Sequence, residues 1–389
     1  MSEFRVPVVR IRTITKHPNA DTLSITQVDG ENVIIKTGDY TEGDLAVYIP
    51  VDGVVPSSVP GTEFLGDHRR IKAKRLRGVY SEGLLLPLQR TIASLGASVV
   101  VEGDDLAAHL GITKHQDKVP DTWGTSVSGA SVPSKRGLLG RFFHWCFRDQ
   151  LRTHERDPGC LPVYDIEPYG RYKHLLRPGE RVIITEKIHG TNARYCHLED
   201  PNKFYAGSRN NFWRDLINRE IPRRERFGDF VRKYILRRPA RGSLKPNLYC
   251  AIAHQYDLPT KLKGYSSLGF YGEIYGQVQD LRYDAEPGQI WFRVFDIYDT
   301  QLGEWLDWDS VRAICEDLGI DTVPVLYDGP FDEAKLASLV EGQSVLAKNI
   351  REGIVVKPAD TRVEEHFGRL ILKQVSQAYK LRKGGTELQ

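Results

Sequence analysis

The chain has 389 residues, 40% hydrophobic and 27% charged, which is the composition of an ordinary globular protein with room for two or three domains. Its net charge of +3 is too small to mark a polyanion-binding protein by bulk charge alone. There is no apolar run of about 18 residues and no basic, then apolar leader, so neither a membrane span nor a secretion signal is expected. Five scattered cysteines without a Cys-x-x-Cys pair argue against a disulfide framework or a structural zinc site, and a reducing, cytoplasmic setting is expected.

Residues 8–14, 23–28, 32–37, 44–49 and 83–87 read as short strands, separated by Asp29-Gly30, Gly38-Asp39 and Glu42-Gly43. Such spacing predicts a small barrel or sandwich. His17-Pro18-Asn19-Ala20-Asp21-Thr22-Leu23 and Lys74-Arg75-Leu76-Arg77-Gly78-Val79-Tyr80-Ser81-Glu82-Gly83 resemble the tRNA-binding OB modules appended to some aminoacyl-tRNA synthetases. The resemblance implies an OB-fold β-barrel over residues 1–110. His17, ahead of Pro18, reads as turn chemistry rather than a catalytic base. The basic run from Arg69 to Arg77 is either a solvated face or a track for a nucleic-acid backbone.

Residues 111–160 are rich in Pro, Gly and Ser and read as a connector. Within them 138–151 is apolar and aromatic with interspersed arginines, predicting one short amphipathic helix packed on a neighbour; a lipid-surface role is the alternative.

Beyond residue 161, Val182-Ile183-Ile184 follows the turn-forming Pro178-Gly179 and reads as a buried strand with Lys187 near its end. Burying an ammonium there costs several kcal/mol or depresses its pKa, and a neutral amine is what a nucleophile requires. Gly190 would let the backbone turn sharply and approach a phosphate. The string Glu186-Lys187-Ile188-His189-Gly190-Thr191-Asn192 resembles motif I of the covalent nucleotidyltransferases, in which the lysine attacks a nucleotide α-phosphate. Its His, where DNA ligases carry Asp, is most similar to the phage type of RNA ligase.

Further strings stand in the same order as the motifs of that superfamily. Phe204 to Asn210 reads as a strand and turn, and the resemblance gives Arg209 a polynucleotide phosphate. The strongly basic stretch that follows, 213–245 with a helical segment at 230–236, is a solvated face or a nucleic-acid contact. In Phe270-Tyr271-Gly272-Glu273-Ile274-Tyr275-Gly276 the flanking glycines would open room for a ligand beside Glu273. The resemblance makes that glutamate a ribose or metal contact. In Trp291-Phe292-Arg293-Val294-Phe295-Asp296-Ile297-Tyr298, a buried Asp296 needs a partner. The resemblance stacks Phe295 on the base and places Asp296 in the catalytic site.

Arg351-Glu352-Gly353-Ile354-Val355-Val356-Lys357-Pro358 resembles motif IV, which implies Glu352 on a divalent metal and Ile354 closing the base sandwich. Leu370-Ile371-Leu372-Lys373-Gln374-Val375-Ser376 resembles motif V, which brings Lys373 to the α-phosphate. Many relatives carry a second lysine where Ile371 stands, so Lys357 is a further phosphate-binding candidate.

Together the resemblance implies an α+β chain: an N-terminal OB-fold barrel, the connector 111–160, and a nucleotidyltransferase domain, 161–389, of antiparallel sheets flanked by helices. It implies catalytic Lys187, Glu273, Asp296, Glu352 and Lys373, with metal on Glu352, Glu273 and Asp296. Nucleotide contacts fall to Glu186, Lys187, His189, Asn192, Glu273, Phe295, Ile354, Lys357 and Lys373. ATP is the implied cosubstrate, with Mg²⁺ or Mn²⁺. Only some ten residues follow motif V while an OB-like module precedes motif I. That order is similar to the RNA ligase 5 family, the Deinococcus- and Naegleria-type enzymes, and implies a monomer acting on RNA or an RNA–DNA duplex at a nick. A GTP-using capping-type enzyme and a non-catalytic RNA-binding protein are the competing readings.

Overall fold

The structure, a computed structural model, describes residues 4–92, 100–115, 154–200, 202–213, 247–364 and 367–382. The expected helices at 138–151 and 230–236, most of the connector and nearly all of the basic stretch lie outside the described residues.

In the N-terminal module, Leu23–Val28 and Glu31–Lys36 pair through a two-residue turn at Asp29 (φ 53°) and Gly30 (φ 84°). Positive φ at both positions matches the right-handed twist of the flanking strands. Lys74–Leu76 and Val79–Ser81 repeat the device through Arg77 (φ 47°) and Gly78 (φ 93°). The strands of this second hairpin have three residues each, so alternation does not reveal them. His17 ties the two together: its backbone N–H donates to the Leu23 carbonyl at 3.2 Å and its Nε2 lies 3.2 Å from the Leu76 carbonyl oxygen, while its Nδ1 accepts from the Asn19 N–H at 3.1 Å. Turn chemistry is therefore its place.

Leu45–Ile49 runs between Val8–Arg10 and Leu84–Pro87. Its alternate side chains enter different cores. Val47 and Ile49 pack with Val8, Val55 and Leu86, and Ala46 and Tyr48 pack with Ile11, Val33 and Ile35. Among the described residues these strands form two three-stranded sheets and two-stranded ribbons, so the expected closed barrel is not formed by the pairing.

Among the described residues the second unit contains two large sheets and a two-stranded ribbon, Val363–Glu364 with Gly368–Arg369. One sheet has seven antiparallel strands, among them Thr191–Leu198, Leu268–Gly276 and Ile290–Asp299. The other has five strands, with Arg181–Lys187 between Gly353–Pro358 and Val325–Pro330, and Leu372–Val375 beyond Gly353–Pro358. Ile183 faces the main core, which also holds Tyr195, Val294 and the helices Leu248–Gln255 and Trp308–Leu318. Val182 and Ile184 face a second core under the helix Glu333–Val340. The fold is α+β, and among the described residues no helix is long and apolar enough to cross a membrane.

The two modules meet through charged contacts. Lys380 lies 2.9 Å from Glu31 and 2.6 Å from Glu82, and Arg171 lies 2.7 Å from Asp29. Burial, and then the charge of Glu82, raises the Glu31 carboxyl above its ordinary range.

Candidate active site between the two modules

Lys187 ends a strand of the five-stranded sheet and Thr191 begins a strand of the seven-stranded one. Residues 188–190 are thus the crossover between the sheets, and that crossover holds the site. Gly190 serves here for closeness rather than for a positive φ. A Cβ on it would stand 2.1 Å from the Ile274 carbonyl oxygen and 3.0 Å from Glu273 Cγ. The glycine near Glu273 also serves a different purpose from the one expected. The place of a Gly272 Cβ is filled by the Phe292 ring and the Arg293 carbonyl, so it accommodates the neighbouring strand and opens no room for a ligand.

A cavity of about 320 Å³ lies between the modules, and Lys187, His189, Glu273, Glu352 and Lys373 line it from the catalytic side. Lys187 Nζ donates to Glu352 Oε1 at 2.5 Å, while the buried Glu352 Oε2 has no hydrogen-bond partner. Burial, then the like charge of Glu352, pushes Glu273 up to about 8 against the opposing pull of Lys187. Lys373 is pushed down to about 8 by burial, reinforced by the charges of Lys187, Lys114 and Arg209. Lys114 belongs to the N-terminal module, whose wall closes the cavity. Arg209 pairs with Asp165, and its side chain is one-third exposed.

His189 is 4% exposed and hydrogen-bonded on three sides. Its Nε2 lies 2.7 Å from Asp280 Oδ1, its Nδ1 lies 2.8 Å from the Tyr379 hydroxyl, and its backbone N–H donates to the Tyr283 hydroxyl at 2.6 Å. Burial lowers its pKa despite the pull of Glu352 and Asp280. In the neutral ring a carboxylate can only accept, so Nε2 carries the proton and Nδ1 accepts from Tyr379. Arg382 completes the assembly, 2.7 Å from Asp280 and stacked 3.4 Å from the centre of the Tyr379 ring. Neither Asp280, Tyr379 nor Arg382 belongs to any string singled out above. Motif spacing carries no signal for partners brought in by tertiary contact.

A second cavity, about 70 Å³, shares Lys187 and Glu273 with the first and is walled by Tyr164, Asn192, Phe295, Val355 and Ile371. Asn192 Oδ1 is buried there without a hydrogen-bond partner. The structure changes four assignments, those of Ile354, Ile371, Asp296 and Lys357. Ile354 faces away, into the core with Val182 and Ile184, and its neighbour Val355 lines the cavity instead. Strand side chains alternate, so a one-residue misreading reverses the face. Ile371 is not a gap in a phosphate clamp but part of the apolar wall.

Asp296 is fully buried and engages Lys357 (2.6 Å), Arg369 (2.6 Å) and the Tyr164 hydroxyl. Burial alone would raise its pKa, but Arg369 and Lys357 hold it below the usual carboxylate range. With both oxygens taken, it anchors an ion cluster rather than facing a metal. Lys357 is correspondingly committed to Asp296 and to the Phe295 carbonyl at 3.0 Å, so its ammonium is not a free phosphate contact. Glu186 accepts from the Ser344 hydroxyl (2.6 Å) and the Val345 N–H (2.8 Å), holding that loop over the strand end.

Among the described residues no three His, Cys, Asp or Glu side chains converge as a ready-made cage. An orphaned oxygen on Glu352, with Glu273 beside it, is the sparse carboxylate set that suits Mg²⁺ or Mn²⁺, which keep waters and take phosphate oxygens.

Comparison with known proteins agrees with this architecture. The RNA ligase family matches residues 180–375, half of the chain, and an OB-fold domain matches residues 5–88. The chain belongs to the RNA ligase family. It is similar in structure to Naegleria gruberi RNA ligase, solved as a lysine-to-alanine mutant with ATP and Mn (TM-score 0.72, 21% identity, 96% of this chain and 98% of that one). A lysine-to-methionine mutant with AMP and Mn gives a TM-score of 0.73 at 20% identity, over 97% of this chain and 98% of that one. The phenylalanine–tRNA ligase beta subunit of Leptospira interrogans is 41% identical over 91 residues, 22% of this chain. That of Neisseria meningitidis is 36% identical over 83 residues, 21% of this chain. The chain spans about a tenth of the length of these curated relatives.

Proposed function

We propose that this chain is an ATP-dependent RNA ligase working through a lysyl-AMP intermediate on Lys187. The observation that carries the reading is the Lys187–Glu352 contact of 2.5 Å, at a sheet crossover flanked by Glu273 and Lys373. The Naegleria ligase was solved with ATP and with AMP, each with Mn, and this supports the choice of nucleotide and cation.

In the first step Lys187 Nζ attacks the α-phosphorus. An N–P bond forms, the P–O bond to pyrophosphate breaks, and Glu352 is placed to accept the proton the amine sheds. Lys373, when protonated, offsets the charge gathering on the phosphate oxygens. A hard cation on Glu352 and Glu273 would add to that charge stabilisation. In the second step an oxygen of a 5′-phosphate end attacks the adenylate phosphorus and the N–P bond breaks. In the third a 3′-hydroxyl attacks the activated end, forming the phosphodiester and releasing AMP.

The base enters the smaller cavity, with Phe295 on one side and Val355 and Ile371 opposite. Asn192 Oδ1 supplies an unused acceptor for the nucleotide. The reading includes a monomer sealing nicks whose 3′-hydroxyl strand is RNA.

The test is covalent labelling with α-labelled ATP and Mg²⁺, on wild type and Lys187→Ala. Alkali-stable, acid-labile label on wild type alone, the behaviour of an N–P bond, supports the reading, and absence of label on wild type refutes it. Nick sealing with RNA and DNA 3′-hydroxyl strands then tests the substrate.

A further inference from the structure

The chain also crosses between the two large sheets ahead of motif I. It leaves the seven-stranded sheet after His154–Glu155 and joins the five-stranded one at Glu167–Pro168. Buried side chains of the seven-stranded sheet fix the path between them. The Tyr271 hydroxyl donates to the Pro162 carbonyl at 2.7 Å, and Arg194 donates to the Leu161 carbonyl at 3.2 Å. None of the strings that resemble superfamily motifs lies in this stretch.

Tyr164 stands in the middle of that path and is buried. Its hydroxyl donates to Asp296 Oδ2. Burial, then the charge of Asp296, raises its pKa well above the ordinary phenol value, so it keeps the proton it donates. Its ring centre lies 4.6 Å from that of Phe295, 5.2 Å from Trp305 and 5.7 Å from Tyr271. Arg369, which pairs with the same carboxylate, sits 4.6 Å from the centre of the Trp305 ring. Tyr164 is thus held at its hydroxyl by the ion cluster and along its ring by aromatic neighbours. It shares the wall of the smaller cavity with Phe295. A ring backed by a locked neighbour is preorganised for stacking, whereas one backed by a mobile side chain must be ordered when the ligand arrives.

We propose that Tyr164 is a positioning residue for the nucleotide base: anchored on Asp296, it fixes Phe295 in the orientation that stacks on the base. The proposal rests on the reading that places the base in the smaller cavity, and adds a residue outside the strings behind that reading. It also gives the buried ion cluster a task. Such clusters often stabilise a fold no more than apolar side chains of like volume do. This one contributes the fixed orientation of the ring behind Phe295. The effect is confined to the base, because Lys373, assigned to the phosphate, lines the larger cavity and not the smaller.

The test measures binding to the full chain carrying Lys187→Ala, which cannot react. The two probes are ATP and ribose 5′-triphosphate, which has the sugar and phosphates but no base. Tyr164→Leu weakens ATP about five-fold, the worth of an aromatic pair, and leaves ribose 5′-triphosphate within about two-fold. Tyr164→Phe keeps the ring without its anchor and falls between the two. In a Phe295→Leu background Tyr164→Leu has no further effect on ATP, because the ring it acts through is gone. Tyr164→Met, whose flexible thioether fills irregular gaps, is read in the same way where the leucine variant does not fold. Unchanged ATP affinity, equal losses for both probes, or an undiminished loss in the Phe295→Leu background overturns the proposal. Equal affinity of Lys187→Ala itself for the two probes is a different outcome and refutes the placement of the base. Failure of the wild type to label refutes the ligase reading itself.

Discussion

The Tyr379 hydroxyl donates to His189 Nδ1 at 2.8 Å, joining the end of the described chain to motif I across 190 positions. One residue further on, Lys380 bridges Glu31 and Glu82 of the N-terminal module. Four helical residues, Gln377–Lys380, therefore touch both the crossover beside Lys187 and the module that closes the cavity.

Removing that hydroxyl strands an acceptor. Tyr379→Phe leaves His189 Nδ1 buried without a donor, which costs about 1–3 kcal/mol. The expected outcome is lower stability in urea and slower single-turnover labelling of Lys187. Stability lost at an unchanged labelling rate would confine Tyr379 to a structural role.

Asp296 is predicted to govern stability rather than metal use. Asp296→Asn leaves Lys357 and Arg369 buried without their counter-charge, a loss of about 3–5 kcal/mol. The Mn²⁺ concentration giving half-maximal labelling should be unchanged in whatever protein remains folded. Because the folded-state pKa is depressed, the wild-type contribution is present above the unfolded carboxylate pKa and is lost as pH falls through the folded value. Acid unfolding of wild type and variant should therefore converge at low pH.

Lys373 sets an expected descending limb in the pH profile. Pushed down to about 8, it is charged below that value and neutral above it. Labelling that relies on its charge falls as pH rises through about 8. Lys114→Ala removes one of the cations that lower it, so the limb moves to higher pH. Single-turnover labelling across this range checks the shift, and an unmoved limb would rule out Lys373 as its source.

Asn192→Ala removes an acceptor that has no partner in the free protein. Stability should be unchanged or slightly higher. ATP affinity should fall about five-fold, the worth of a typical hydrogen bond of roughly 1 kcal/mol. Isothermal titration on Lys187→Ala, which cannot react, separates binding from chemistry.

Much of the architecture was legible in the chain. The strand Leu23–Val28 falls on its expected bounds because alternation and a two-residue Asp-Gly turn are local signals. The hairpin Lys74–Leu76 to Val79–Ser81 escaped because each of its strands has only three residues, too few for alternation to register. At the site, Lys187, Glu273, Glu352 and Lys373 were legible by resemblance and lie around one cavity. Ile354 misled because motif position does not state which face of a strand a residue occupies. Asp296 misled because its three partners come from distant segments.

The sequence by itself determined the strands, the order of the motif strings and the chemical types available to the site, since these depend on neighbours along the chain. Only the tertiary structure decided which of those groups remain free. Burial and pairing depend on what arrives from elsewhere. Arg369 and Lys357 seal Asp296, whereas Glu352 keeps one oxygen without a hydrogen-bond partner. The neutral state of His189 is likewise set by burial, and its orientation by Asp280 and Tyr379, residues that only folding brings to it.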